Sequence, residues 1–162
     1  MRPVSETPTE PTDYALLSLT FGSLLVATAV SARKREPISS AELVPLSAAS
    51  FALSKLVVKE KVETWIRQPF VDENPQERKP KGRRLRYAIG ELLLCTRCTG
   101  AWSSLALVGL RLHSPAAARA VTTVLATSAG NDFAHTVFLW LCARADTQKG
   151  EATRLSGAQR AA

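Results

Sequence analysis

Residues Tyr14 to Ala32 read YALLSLTFGSLLVATAVSA, 19 positions without a charge. As a helix this run covers about 28 Å, close to the ~30 Å hydrocarbon core of a bilayer. Arg33, Lys34 and Arg35 end it abruptly. The residues before it carry Glu6, Glu10 and Asp13 with Arg2 as their one base. That flank is acidic, and the run exceeds the ~7–15 apolar residues of a secretory signal, so a membrane-crossing helix is favoured over a cleaved leader.

Working outward, the whole chain has 162 residues, 46% hydrophobic and 22% charged, with a net charge of +7. Its mean hydropathy is zero, which resembles a soluble domain only because long apolar runs are averaged with charged ones. The apolar content excludes a disordered chain. Eight Gly and three Cys exclude collagen-like and disulfide-dense classes.

Leu43 to Val58 (LVPLSAASFALSKLVV) is a weaker apolar segment, spanning only about 24 Å as a helix. Pro45 suits its first turn, and Ser47, Ser50 and Ser54 make one stripe polar. Lys55 can reach toward an interface from near the end. A short crossing helix is favoured over a re-entrant or surface-lying one. Lys59 to Phe70 turns charged around Val62, Trp65 and Ile66, and Trp65 fits a headgroup-level anchor. Val71 to Arg86, with Pro75, Pro80 and Gly82, reads as a loop.

Two further spans follow. Leu92 to Leu110 has one charge, Arg97, and Val121 to Ala143 has one, Asp132. The fold expected is all-α: a small transmembrane helical bundle of three to four spans with a charged cytoplasmic loop. Residues 1–40 would be a polar, flexible tail plus an additional helix, 41–143 the main membrane domain, and 144–162 a frayed polar tail.

Lys and Arg set the orientation. With four spans and both termini in the cytoplasm, 14 bases lie inside and 5 outside. A three-span alternative, in which Leu43–Val58 does not cross, moves the N-terminus outside but keeps the loop 59–86 and the C-terminus cytoplasmic. The loop cluster Arg78, Lys79, Lys81, Arg83, Arg84 and Arg86 then faces anionic lipid headgroups. Nucleic acid is not expected, because no helix-turn-helix, zinc-finger or aromatic single-strand pattern accompanies these bases.

Cys95-Thr-Arg-Cys98 is the one compact chemical motif. On a helix its thiols share a face, able to form a disulfide or to offer two ligands to a soft metal such as zinc. Packing of the small Cys, Thr and Gly100 residues between helices, with Trp102 as an interfacial anchor, is the simpler reading. Asp132 and His135 share a face of the last span. If the last two spans form a hairpin, they reach the depth of the cysteines, so a four-residue cluster is one expectation. A His–Asp contact that only fixes packing is the other. Glu91 can pair with a loop base.

The order of these segments resembles the bacterial membrane family known as domain of unknown function 1360. The resemblance rests on Ala49, Ser50, Phe51, Pro69, Phe70, Gly90, Glu91, Leu92, Leu93, Cys95, Cys98, Gly100 and Trp102. It covers roughly residues 41–143. Members often place an aromatic residue between the cysteines, where this chain has Thr96 and Arg97. The resemblance implies a multi-span bacterial membrane protein, with some relatives linked to sporulation, and no known reaction.

No nucleophile–base pair, phosphate-binding glycine loop or zinc-protease motif is present. The function expected is a non-enzymatic scaffold or partner-binding component of the cytoplasmic membrane, with no cofactor. Its partners would be the bilayer and a membrane protein or a second copy. The alternative is a membrane thiol-redox or soft-metal protein using Cys95 and Cys98.

Overall fold

The computed structural model describes residues 6–74 and 77–161, with only the helical backbone given from residue 150 onward. Arg2, Pro3 and Pro75, and the side chains of Arg154 and Arg160, lie outside the described residues. The fold is mostly helical, as the apolar runs require.

Helix α1 spans Pro11–Ala32. Proline sits in its first turn, and Glu10 and Asp13 close a reciprocal cap, the Glu10 N–H donating to Asp13 Oδ2 at 2.8 Å. Helix α2 spans Ser40–Lys59, capped in the same way by Ser39 and Glu42. A 3-10 turn at Lys61–Glu63 leads into the single-turn helix α3, Thr64–Arg67. Strands β1, Val71–Glu73, and β2, Arg78–Pro80, pair antiparallel with Asp72 opposite Lys79. Helices α4, Leu85–Leu94, and α5, Thr96–His113, meet at a 91° bend. Helix α6 runs from Pro115 to Ala161.

Helix α2 is the centre of the bundle, packed on both α5 and α6. Ser50 Oγ donates to the Gly100 carbonyl at 3.0 Å and lies 2.7 Å from Ser104 Oγ, while Glu42 accepts from Arg111 Nε at 2.7 Å. These pairs make α2 and α5 antiparallel. Helix α6 runs parallel to α2: Glu42, Pro45 and Leu46 share a hollow with Ala118, Thr122 and Thr123, and farther along Phe51 stacks on Phe133 at 5.4 Å and Lys55 Nζ meets Asp132 Oδ2 at 2.8 Å. Helix α1 runs parallel to α5: Phe21 lies edge-on to Trp102 at 5.3 Å, and farther along Leu25, Ala29 and Ala32 share a hollow with Val108 and Leu112, while Tyr14 bonds Glu91 of α4. The chain therefore passes up, down, up and down. Small buried residues (Ala49, Ala52, Ser54, Thr99, Ser103, Ala118 and Ala129) let the helices approach closely. The serine stripe of α2 supplies two of these contacts: Ser50 and Ser54 turn inward, while Ser47 bonds its own Leu43 carbonyl.

Helices α1 and α2 are long and apolar enough to cross a membrane, and the bent α4–α5 pair is a third candidate if it counts as one span. On α1, Leu16, Leu19, Leu24, Leu25, Val26 and Val30 all face outward. Among the described residues helix α6 does not reach the same apolar measure, although it runs alongside α2 over the expected span Val121–Ala143. Thr122, Thr123, Thr127, Ser128, Asn131, Asp132 and His135 dilute that run. Nor does the chain fray after residue 143; the helix continues, with no proline to break it.

Three other expectations are corrected. Val71–Arg86 is not a plain loop, because the hairpin occupies its first part and Val71 is buried. Leu92–Leu110 is not one straight helix, because it breaks at Cys95. The N-terminal segment does not trail freely near α1: Arg84, at φ 57°, donates its N–H to the Pro8 carbonyl at 2.8 Å and its side chain pairs with Glu10 and Asp13.

Candidate functional site

The hairpin end of the bundle is built around Arg67, which has no exposed surface. The last four carbonyls of α2 have no partner within the helix, as at any helix C-terminus. Arg67 donates to those of Val57 and Glu60, and Arg78 donates to those of Val58 and Lys59. Two guanidinium groups thus satisfy all four and place positive charge at the negative end of the helix dipole. Glu73 completes the arrangement, accepting from Arg67 Nε at 2.6 Å and from Thr64 Oγ1 at 3.1 Å. The hydrogen bond from Arg67 holds the Glu73 carboxyl below its usual range. Sequence reading missed Arg67. Its one signal was a base set among Trp65, Ile66 and Phe70.

The bases assigned to lipid headgroups are mostly engaged by protein groups. Arg78 caps α2, Arg84 clasps Glu10 and Asp13, and Arg86 donates to the Pro69 carbonyl at 2.8 Å. Lys79 pairs with Glu77 and Lys81 with Asp72, both pairs exposed. Arg83 is exposed and has no partner among the described residues. Trp65 stands outside this scaffold, 70% exposed, beside Val62 at 79%.

The cysteine pair sits at the α4–α5 break, next to the hairpin. Gly90 makes this junction compact: a Cβ there would collide with the Phe70 carbonyl oxygen and lie 3.0 Å from Pro80 Cβ. After Leu94 the backbone of Cys95 turns extended, at φ −95° and ψ 105°. The Leu92 carbonyl, left over at the end of α4, accepts from Cys95 N–H and Thr99 Oγ1. Cys95 then becomes the N-cap of α5, its Sγ accepting the Cys98 N–H at 3.3 Å. A thiol occupies the place that Ser or Asp usually takes, and Cys98 stands three positions on, in the first turn of the same helix.

Cys98 lines a groove of about 360 Å³ between α1 and the α4–α5 bend, with Tyr14, Phe21, Glu91 and Trp102 among its walls. Cys95 lines a neighbouring hollow with Pro80, Glu91 and Leu94. Glu91 borders both. It accepts from Tyr14 Oη at 2.5 Å and not from a loop base, a correction to the sequence reading. Trp102 is half-buried against Phe21, which accounts for it as a packing residue of the α1–α5 contact.

Asp132 and His135 do not join the thiols. Asp132 is held by Lys55 of α2, and His135 is exposed. Among the described residues no three His, Cys, Asp or Glu gather as a metal site would need. The Lys55–Asp132 pair spans 77 positions of sequence, and no local pattern announces it.

This junction lies within a stretch that a known family model matches. A family model described as "Protein of unknown function (DUF1360)" matches residues 45–138. The chain belongs to the DUF1360 family. No curated protein and no solved structure matches it. The DUF1360 match takes in α2 from Pro45 onward, the hairpin, the Cys95–Cys98 junction and α6 as far as Phe138. Helix α1 precedes it and packs on α4 and α5.

Proposed function

We propose that this protein is an integral component of a bacterial cytoplasmic membrane that serves as a scaffold or partner-binding subunit. The observation that carries this reading is at the hairpin end. Arg67 and Arg78 lock the connector to α2, yet Val62 and Trp65 project from it almost unburied. A rigid connector displaying an exposed Trp loses little conformational freedom on binding, and Trp is enriched among residues that dominate interface energies.

Charge and geometry together support one orientation. The hairpin and the start of α1 lie at one end of the bundle, while Glu42 and Arg111 lie at the other. We place the hairpin end in the cytoplasm, because the larger share of Lys and Arg belongs there. Anionic lipid then meets Arg83 and the outer faces of Lys79 and Lys81. Helix α6 runs beside α2 through the same layer, with Asp132 neutralised by Lys55.

The test is site-specific photo-crosslinking in native membranes, with a photoreactive residue in place of Trp65 or of Leu24. A discrete protein adduct at 65 and lipid adducts alone at 24 are expected. Lipid adducts alone at both sites would remove the partner-binding reading.

A further inference from the structure

We propose that Cys95 and Cys98 form a redox-active dithiol that exchanges electrons with the disulfide of a thiol-bearing partner. Three features carry this. Cys95 caps α5 and Cys98 stands three positions on in its first turn, with Cys98 N 3.3 Å from Cys95 Sγ, so a disulfide closes with a modest backbone adjustment. Cys95 Sγ already accepts a backbone N–H at the start of an 18-residue helix, where the thiolate form is stabilised by that donor and by the helix dipole. Each thiol lines an open hollow, Cys95 beside Pro80 and Leu94, Cys98 beside Phe21 and Trp102. The exposed Arg97 between them adds positive charge. No further His, Cys, Asp or Glu completes a ligand set among the described residues, so the pair lacks the additional ligands of a structural zinc site.

The geometry divides the labour. The Cys95 thiolate attacks one sulfur of the partner disulfide, forming a mixed disulfide and expelling the other sulfur as a thiolate, which takes up a proton. Cys98 then loses its proton and attacks the Cys95 sulfur, and the second partner thiolate leaves and is protonated. The cysteine pair gives up two electrons and two protons, and the partner disulfide gains both. The proposal does not depend on the partner-binding reading.

The test uses the full chain in lipid nanodiscs with oxidised glutathione as the disulfide. Thiol-reactive gel shifts and peptide mass spectrometry are the readouts. The wild type is expected to form the Cys95–Cys98 disulfide, and Cys142→Ser to do the same. Cys98→Ser is expected to accumulate a glutathione adduct on Cys95. Cys95→Ser is expected to react at Cys98 at least about tenfold more slowly, consistent with loss of the stabilised thiolate. Exposed Cys142 is the internal control for reagent access. A pair that stays reduced while Cys142 is modified would overturn the proposal. So would independent adducts on Cys95 and Cys98 with no bond between them.

Discussion

Arg67 reaches back ten positions to the carbonyl of Val57 and, with the same guanidinium, holds the carboxylate of Glu73. One buried side chain thus ends α2, fixes α3 and anchors β1. A buried charge with four polar partners cannot be cut back without stranding several of them. Arg67→Met is expected to destabilise the fold by about 3–5 kcal/mol. Arg67→Lys should recover little, because an ammonium cannot reproduce the planar fork. Chemical unfolding in a mild detergent measures both. A loss below about 1 kcal/mol for Arg67→Met would mean that the connector does not rely on this cap.

The Glu73 carboxyl is held below its ordinary range by Arg67. Its ion pair therefore contributes stability that is fully present above the unfolded-state value, near 4.5. That contribution is lost as pH falls through the lower folded-state value. The wild type should lose more stability than Glu73→Gln on acidification from neutral pH through that window. Parallel melting curves for the two proteins would deny the linkage.

Gly90 and Gly22 make a matched pair. A methyl at Gly90 meets the Phe70 carbonyl and Pro80, whereas one at Gly22 meets nothing within 4 Å. Gly90→Ala should cost about 1–3 kcal/mol by overpacking. Gly22→Ala should be neutral or stabilising by up to about 1 kcal/mol, as for an open helix position. Equal effects in thermal unfolding would show that α4 does not rest on the hairpin as described.

His135 is exposed and Asp132 is taken by Lys55. His135→Ala should therefore leave the reduction potential of the Cys95–Cys98 pair unchanged within the error of a glutathione titration. A clear shift would bring the last helix back into the thiol site.

Much of the helical frame was legible because burial in lipid or protein demands long apolar runs, and Tyr14–Ala32 is one. The hairpin was not, because its strands are three residues each and carry charged side chains. Its position is set by Arg67 and Gly90, not by strand propensity. The bend at Cys95 was hidden inside an apolar run with no proline, since a thiol cap and Thr99 make the break. The docking of Pro8–Asp13 depends on Arg84, more than 70 residues away. The Cys95–Cys98 motif was visible as spacing; its asymmetry was not, because that comes from which thiol caps the helix.

Whether α2 separates the hairpin from the Arg33–Ser39 connector is the point on which the topology turns. Its 20 residues give about 30 Å, one hydrocarbon thickness. The direct measurement is labelling with a membrane-impermeant maleimide in intact and permeabilised cells. The parent carries Ser at all three native cysteine positions and bears either Arg35→Cys or Asn74→Cys. Position 35 should label in intact cells and position 74 only after permeabilisation. Labelling of both from the same side would show that α2 does not cross.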